Sequence, residues 1–213
     1  MYFRLPRIYP LTDVQLSGLP HAEQVKLLSL GGATLIQLRE KRLSALQFYE
    51  QAKAAVATAR ETGAQLIVND RVDVALAAGA KGVHLGQDDL PPEAARRLIG
   101  NEAVIGYSTH NVEQAQKALT LPIDYIAIGP IFETATKSDT SPTLGLDGLK
   151  AVRKIVGSVP IVAIGGVSHA NARAVIEAGA DAVAIISALL SDPDRIIEAT
   201  RTLLQSLPTH RPT

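Results

Sequence analysis

The chain has 213 residues, of which 46% are hydrophobic and 20% are charged, a balance typical of a globular protein with a sizeable core. Its 21 Lys and Arg residues equal its 21 Asp and Glu residues in number, which argues against nucleic acid or an anionic membrane as a partner. Cysteine is absent, so disulfides and thiolate metal sites are excluded, and we expect a cytoplasmic protein without a signal peptide or membrane span.

Short apolar runs alternate with longer amphipathic runs, which is typical of strands that alternate with helices. Eight strands are predicted, at residues 7–11, 34–38, 65–68, 82–85, 104–107, 125–128, 161–164 and 182–186. Eight helices are predicted, at residues 21–30, 44–62, 72–78, 92–99, 111–119, 146–156, 169–178 and 193–207. Helix starts are predicted at the caps Ser44, Ser168 and Asp192, and helix ends at Gly63 and Gly79.

Eight strand–helix units in about 200 residues predict an α/β fold, a single (β/α)₈ TIM barrel. A doubly wound open sheet is the alternative, although eight evenly repeated units suit a closed barrel better. The sequence shows no linker, so residues 1–213 are expected to form one domain, with a frayed tail at 207–213. In such a barrel the functional residues lie in the loops that follow the strands, at the carboxyl face.

A polar and cationic run closes the second predicted strand. Gln37, Arg39 and Lys41 alternate with Leu38 and Glu40, so the first three side chains project to one side of the strand. An amide and two cations at the carboxyl end of a strand suit a phosphorylated ligand, because Arg and Lys bind phosphate oxygens. A solvated strand end would explain the same run if it stood alone.

Acidic and amide side chains follow the next two strands. Asn69 and Asp70 follow the third strand, and Gln87, Asp88 and Asp89 follow the fourth. Because consecutive barrel strands are neighbours, Asp70 can approach an acidic residue of the next loop. Two carboxylates beside two cations suit a Mg²⁺ ion that bridges to ligand phosphates. Helix capping is an equal alternative for Asp70 and Asp89, but it does not require the two amides.

The fifth and sixth strands are followed by hydroxyl groups and a long loop. Ser108 can donate to a phosphate or a ring nitrogen, and Ser108 or Thr109 can equally cap the next helix. The loop at 129–145 carries Lys137 and several hydroxyls, and long loops in compact domains usually have a function. We expect this loop to close over a ligand, with a purely solvated loop as the alternative.

Small residues follow the last two strands. Gly165 and Gly166, with Ile186 and Ser187, would let backbone N–H groups approach an anion, and barrels frequently bind phosphate between these two loops. The mouth of the barrel is thus predicted to hold two phosphorylated ligands. This implies group transfer with diphosphate as the leaving group, whose growing charge the metal ion and the cations would stabilise.

Motifs along nearly the whole chain resemble those of the thiamine-phosphate synthase family. They are 37–41 (QLREK), 69–73 (NDRVD), 82–91 (GVHLGQDDLP), Ser108 with His110, 129–132 (GPIF), 134–137 (TATK), 163–166 (AIGG) and 186–187 (IS). The resemblance implies a (β/α)₈ barrel that acts as a transferase. Its reaction would join 4-amino-2-methyl-5-(diphosphooxymethyl)pyrimidine to a thiazole phosphate and release thiamine phosphate and diphosphate.

The resemblance also implies a role for each matched residue. Asp70 and Asp89 would bind Mg²⁺. The pyrimidine diphosphate would be bound by Gln37, Leu38, Arg39, Glu40, Lys41, Asn69, Ser108 and Lys137. The catalytic residues among these would be Arg39, Lys41, Lys137 and Ser108. The thiazole phosphate would be bound by Thr134, Ala135, Thr136, Gly166, Ile186 and Ser187.

The mechanism implied by the resemblance is dissociative: diphosphate leaves first, and the thiazole nitrogen captures the pyrimidine-methyl cation. Two other functions remain open. A thiazole tautomerase of the same pathway would not need the metal-binding aspartates, and a non-catalytic phosphate-binding barrel would bind its ligand without turnover. The expected partners are small phosphorylated substrates, without nucleic acid or membrane, and a homo-oligomer is compatible with the sequence.

Overall fold

The computed structural model describes residues 4–134 and 142–208, where the predicted alternation of strands and helices is confirmed. The strands are β1 (Ile8–Pro10), β2 (Leu35–Leu38), β3 (Gln65–Asn69), β4 (Gly82–Leu85), β5 (Val104–Thr109), β6 (Tyr125–Ile128), β7 (Ile161–Ile164) and β8 (Ala182–Ile185). The α-helices are α1 (Val14–Ser17), α2 (His21–Leu30), α3 (Ala45–Thr62), α4 (Val72–Ala78), α5 (Pro92–Ile99), α6 (Val112–Ala118), α7 (Gly145–Val156), α8 (Ala172–Glu177), α9 (Ser187–Leu190) and α10 (Ile196–Ser206).

The eight strands form one parallel sheet in the order β1-β8-β7-β6-β5-β4-β3-β2. A parallel bridge between Leu11 and Gln37 joins its two ends, and the Thr12 N–H donates to the Gln37 carbonyl at 2.9 Å. The sheet is therefore a nearly closed TIM barrel, as predicted, and the doubly wound alternative is wrong. That residues 1–213 form one domain stays a prediction.

Several predicted helix ends are confirmed by their caps. Ser44 accepts the Gln47 N–H in a capping box at the start of α3, and the left-handed Gly63 and Gly79 end α3 and α4. Asp192 accepts the Asp194 N–H, but it opens a short 3₁₀ helix that precedes α10. None of the helices in the described ranges is long and apolar enough to cross a membrane.

One predicted cap is wrong. Helix α8 begins three residues later than predicted, with Asn171 as its N-cap residue, so Ser168 does not cap it. The Ser168 N–H donates to Asn171 Oδ1 at 2.8 Å, and its carbonyl accepts the Ala172 N–H at 3.0 Å. These bonds fold residues 168–171 into a turn, so the first helical turn starts only after them.

The predicted frayed tail begins on residues that are packed against the barrel. Leu207 is buried, and the Arg7 Nε donates to the Pro208 carbonyl at 3.0 Å. Residues 209–213 lie outside the described part of the chain, so fraying there stays a prediction.

The amino end of the barrel is fastened twice by the same arrangement of arginine and aspartate. Arg96 of α5 donates to Asp124 at 2.8 Å, and the same carboxylate accepts the Ile105 N–H of β5 at 2.8 Å. Two helices later, Arg153 of α7 donates to Asp181, which accepts the Ile161 N–H of β7 at 2.8 Å. Each aspartate thus ties a helix to a strand at the barrel end where TIM barrels gain stability and not activity.

We expect Asp181→Asn to lower the free energy of unfolding by about 1–3 kcal/mol, because the Arg153 guanidinium loses its charged partner in a largely buried site. Urea denaturation monitored by circular dichroism measures the change. Asp147→Asn is the matched control, since its ion pair with Lys150 is exposed and should be worth less than about 1 kcal/mol. Equal losses in the two variants would contradict the role assigned to Asp181.

Candidate active site

A cavity of about 570 Å³ opens at the carboxyl ends of the strands. Its walls include most of the residues predicted for the pyrimidine diphosphate and the metal ion, namely Gln37, Arg39, Lys41, Asn69, Asp70, Asp89 and Ser108. These residues come from four different strand ends, and the barrel brings them together as strand order requires. Their roles stay predictions. Lys137, predicted for the same ligand, lies outside the described residues.

A lysine and two aspartates form the most strongly charged part of this cavity. Lys41 Nζ lies 2.5 Å from Asp70 Oδ2. Burial raises the pKa of Asp89 above its usual value, the Gly86 N–H at 2.7 Å from Asp89 Oδ2 opposes this rise, and the nearby Asp70 carboxylate adds to it. Carboxylates that disfavour each other's charge in this way favour a cation between them.

Neither aspartate caps a helix, so the capping alternative is wrong for both. The N-cap residues of α4 and α5 are Arg71 and Pro91, and neither helix has a side-chain cap. Asp70 has a left-handed backbone with a φ of 63°, and its N–H donates to the His84 carbonyl at 2.8 Å. This conformation is uncommon outside glycine, and residues held in it cluster at functional sites.

The two aspartates offer a pair of carboxylate ligands to a cation in this cavity. Among residues 4–134 and 142–208, no group of three or more His, Cys, Asp or Glu side chains is arranged to hold a metal ion. Mg²⁺ commonly binds through one or two carboxylates and takes its other ligands from water and substrate phosphates. The pair of Asp70 and Asp89 fits that ion.

Leu38 and Glu40 point away from the cavity, unlike Gln37, Arg39 and Lys41, because side chains alternate along a strand. Leu38 is fully buried in the core. The Glu40 carboxylate accepts the N–H groups of the next two residues, both at 2.7 Å, and lies 3.4 Å from the buried His21 Nε2. That Leu38 and Glu40 bind substrate stays a prediction, and their side-chain positions point to their backbone groups as the ones that would do so.

Glu40 and His21 hold the loop that carries the two cations. Burial opposes ionisation of Glu40, but the backbone N–H groups of Arg42 and Lys41 and then His21 keep its pKa below the usual value. Burial lowers the pKa of His21, whose Nδ1 lies 2.8 Å from Thr12 Oγ1. The Glu40 carboxylate thus braces its own loop on the side away from the cavity, and Lys41 faces the cavity.

Ser108 also does not cap a helix. Its Oγ lies 2.8 Å from His84 Nε2, whereas Thr109 donates to the Ala127 carbonyl at 2.9 Å. Helix α6 is capped by Asn111, whose side chain accepts the Gln114 N–H. Ser108 is therefore available at the cavity wall, and the capping alternative is wrong for Ser108 and Thr109.

Sequence reasoning missed three aromatic residues at the floor of the cavity, two of which, Tyr9 and His84, line it. Tyr9, His84 and Tyr125 meet inside the barrel, with 2.9 Å between the two tyrosine oxygens and 3.0 Å between Tyr125 Oη and His84 Nδ1. Burial raises the pKa of both tyrosines, so both hydroxyls keep their protons. The signal was present, because each residue places a hydrogen-bonding side chain in a short strand that is otherwise mostly apolar.

A second, smaller cavity of about 40 Å³ is lined by all four of the residues predicted for the thiazole phosphate that the structure describes. Thr134, Gly166, Ile186 and Ser187 line it, and it shares the wall residues Ile164 and Ala184 with the larger cavity. Gly166 has a φ of 62°, and a side chain there would meet the Glu133 carbonyl oxygen at 2.4 Å. Ala135 and Thr136 lie outside the described residues.

Comparison with known proteins identifies the family. Residues 8–189 match the family model described as TMP-TENI, thiamine monophosphate synthase. The chain is 49% identical to thiamine-phosphate synthase of Chloroflexus aurantiacus over 198 residues, covering 92% of this chain and 90% of that protein. It is 46% identical to thiamine-phosphate synthase of Albidiferax ferrireducens over 196 residues, covering 92% and 89%.

A solved structure gives the same result. Thiamine phosphate pyrophosphorylase from Pyrococcus furiosus superposes with a TM-score of 0.85 at 38% identity, covering 94% of each chain. The fold and the extent of the identity agree. The chain belongs to the thiamine-phosphate synthase family.

Proposed function

We propose that this protein is a transferase that joins 4-amino-2-methyl-5-(diphosphooxymethyl)pyrimidine to a thiazole phosphate, yielding thiamine phosphate and diphosphate. The observation that carries the proposal is the meeting of Arg39, Lys41, Asp70 and Asp89 in one cavity that adjoins a separate, uncharged one. A charged region suits the diphosphate, and an uncharged cradle suits the monophosphate. The relatives named above carry the same activity in their names.

The first substrate would lie in the larger cavity. Gln37, Asn69 and Ser108 would hold its pyrimidine ring, and the cations Arg39 and Lys41, joined by Lys137, would hold its diphosphate. Cations placed at the leaving group stabilise the negative charge that grows there as the bond to carbon breaks. The protein thus promotes departure of diphosphate without a side-chain nucleophile.

The metal ion would be held by Asp70 and Asp89, which face the same cavity. When bound, Mg²⁺ would neutralise negative charge on the diphosphate and orient it for departure. The Lys41 ammonium at 2.5 Å from Asp70 would then move toward the diphosphate, since the carboxylate would be occupied by the cation. Asp70 therefore has two alternative partners of the same charge sign.

The second substrate would place its phosphate in the smaller cavity, on Thr134, Gly166, Ile186 and Ser187, with Ala135 and Thr136 from the neighbouring loop. Because the two cavities share wall residues, the thiazole nitrogen could reach the pyrimidine-methyl carbon without leaving the site. A tautomerase acts on a thiazole phosphate alone, so it would have no diphosphate for the Asp70–Asp89 pair and the cations to bind.

The direct test mixes the purified protein with both substrates and measures thiamine phosphate by chromatography. We expect product with Mg²⁺ and a fall of at least about 100-fold with a chelator, because several kcal/mol of charge stabilisation are lost. Restored turnover after Mg²⁺ is added back excludes damage by the chelator. The absence of product in every condition would reject the proposed function.

A pair of substitutions in one loop tests the metal assignment. Asp89→Asn is expected to lower kcat/KM by about 100-fold or more, because an amide is a weaker ligand for Mg²⁺ than a carboxylate. Asp88→Asn is the matched comparison, because Asp88 also lines the cavity but is more exposed than Asp89, and we expect its kcat/KM to stay within about threefold. If Asp88→Asn lowers kcat/KM more than Asp89→Asn does, Asp88 and not Asp89 would be the metal ligand.

A further inference from the structure

We propose that a buried series of hydrogen bonds, Gln37–Tyr9–Tyr125–His84–Ser108, fixes which side of the pyrimidine site donates and which accepts, and so selects an aminopyrimidine over the matching oxopyrimidine. We call these five residues the buried relay. The inference rests on the proposed function, since it concerns how that site recognises its first substrate. It assigns Tyr9, Tyr125 and His84 as positioning residues.

The buried relay is continuous from one wall of the larger cavity to another. Gln37 Nε2 donates to Tyr9 Oη at 3.2 Å, and the oxygens of Tyr9 and Tyr125 are 2.9 Å apart. His84 Nδ1 lies 3.0 Å from Tyr125 Oη, and its Nε2 lies 2.8 Å from Ser108 Oγ. Gln37, Tyr9, His84 and Ser108 line the cavity, whereas Tyr125 is fully buried behind them.

The barrel leaves room for the buried relay at a glycine. A Cβ atom at Gly106 would lie 2.0 Å from Tyr125 Cζ and 2.5 Å from His84 Nδ1. The tyrosine ring packs against His84 across this gap, with ring centres 5.6 Å apart. Any side chain at position 106 would displace Tyr125 or His84, so β5 is built around the contact between them.

In the buried relay, the direction of each hydrogen bond fixes the direction of the next one. Tyr9 accepts from Gln37, so its single hydrogen is available for Tyr125, and the Tyr125 hydrogen in turn for His84 Nδ1. A neutral imidazole that accepts at Nδ1 carries its hydrogen on Nε2, which then donates to Ser108 Oγ. The Ser108 hydrogen is thereby directed away from His84 and toward a ligand.

One end of the buried relay therefore presents a hydrogen-bond acceptor to the cavity, and the other end presents a donor. Gln37 uses its Nε2 on Tyr9, which leaves its carbonyl oxygen as an acceptor for a ligand, while Ser108 presents a donor. The opposite pattern would require the buried Gln37 amide to turn over and each hydrogen along the buried relay to reverse with it. Because these changes must occur together, the donor and acceptor behave as one unit.

An aminopyrimidine matches this pattern. Its exocyclic amine is a donor that suits the Gln37 oxygen, and its unprotonated ring nitrogen is an acceptor that suits the Ser108 hydroxyl. The oxopyrimidine of the same shape has a carbonyl in place of the amine and an N–H in place of the ring nitrogen. It would leave unpaired polar groups at both ends, and sites built on hydrogen bonds reject such analogues strongly.

The test compares kcat/KM for the aminopyrimidine diphosphate and its 4-oxo analogue. The wild-type protein is expected to favour the amino compound by at least about 100-fold. Tyr125→Phe and Tyr9→Phe keep the ring but cut the buried relay, and each should lower that ratio by about tenfold, since one end can then reorient alone. Tyr49→Phe, on the outer helix α3, is the matched control and should leave the ratio unchanged.

The ratio separates recognition from a structural role, because a variant that is merely less stable loses activity toward both compounds equally. A ratio unchanged within twofold in a folded Tyr125→Phe or Tyr9→Phe variant would overturn the proposal. If both variants fail to fold, similar kcat/KM values for the two compounds in the wild-type protein would overturn it. If the wild-type protein forms no product from either compound, the proposed function fails, and calorimetric affinities for the two diphosphates then decide whether the selection exists.

Discussion

Closure of the sheet is the constraint on which the whole site depends. The single bridge between Leu11 and Gln37 joins the first and second strands, and it converts an open sheet into a ring with one carboxyl rim. Residues from strands that are far apart in the sequence then face the same space. Without closure, Tyr9 and Gln37 would lie at opposite edges of the sheet, and the cationic strand end would face solvent.

The rim combines rigid and strained elements, and each has a local cause. Gly86 lets its backbone N–H approach the Asp89 carboxylate, and a side chain there would sit only 3.1 Å from that carboxylate. Asp70 tolerates its left-handed backbone, which an aspartate does better than most residues. The cations are held differently, because Glu40 points away from the cavity and braces their loop against His21 of α2. The site is therefore shaped by groups that need never touch a substrate.

Much of this arrangement could be predicted. The strands and helices show in the local pattern of apolar residues, and the barrel fold then fixes which strand ends lie together. The strands, most helices and the shared mouth follow from apolar runs and from the rule that chemistry lies after the strands. The roles of Ser108 and of the two aspartates were ambiguous between capping and ligand binding, and the observed helix starts exclude capping, while ligand binding stays a prediction. The short helices α1 and α9 were missed, since four residues are too few to show a period.

The inward-facing tyrosines were harder to assign, because a strand pattern shows that a residue is buried and not which other strand it meets.

The amino end of the barrel contributes to stability and not to the ligand cavities. Arg96 with Asp124 and Arg153 with Asp181 secure the amino end, on the far side from the ligand cavities. Rigidity and chemistry thus reside on separate surfaces of one small molecule. Evolution, or a protein engineer, can rewrite the rim to suit a new substrate while these anchors preserve the scaffold.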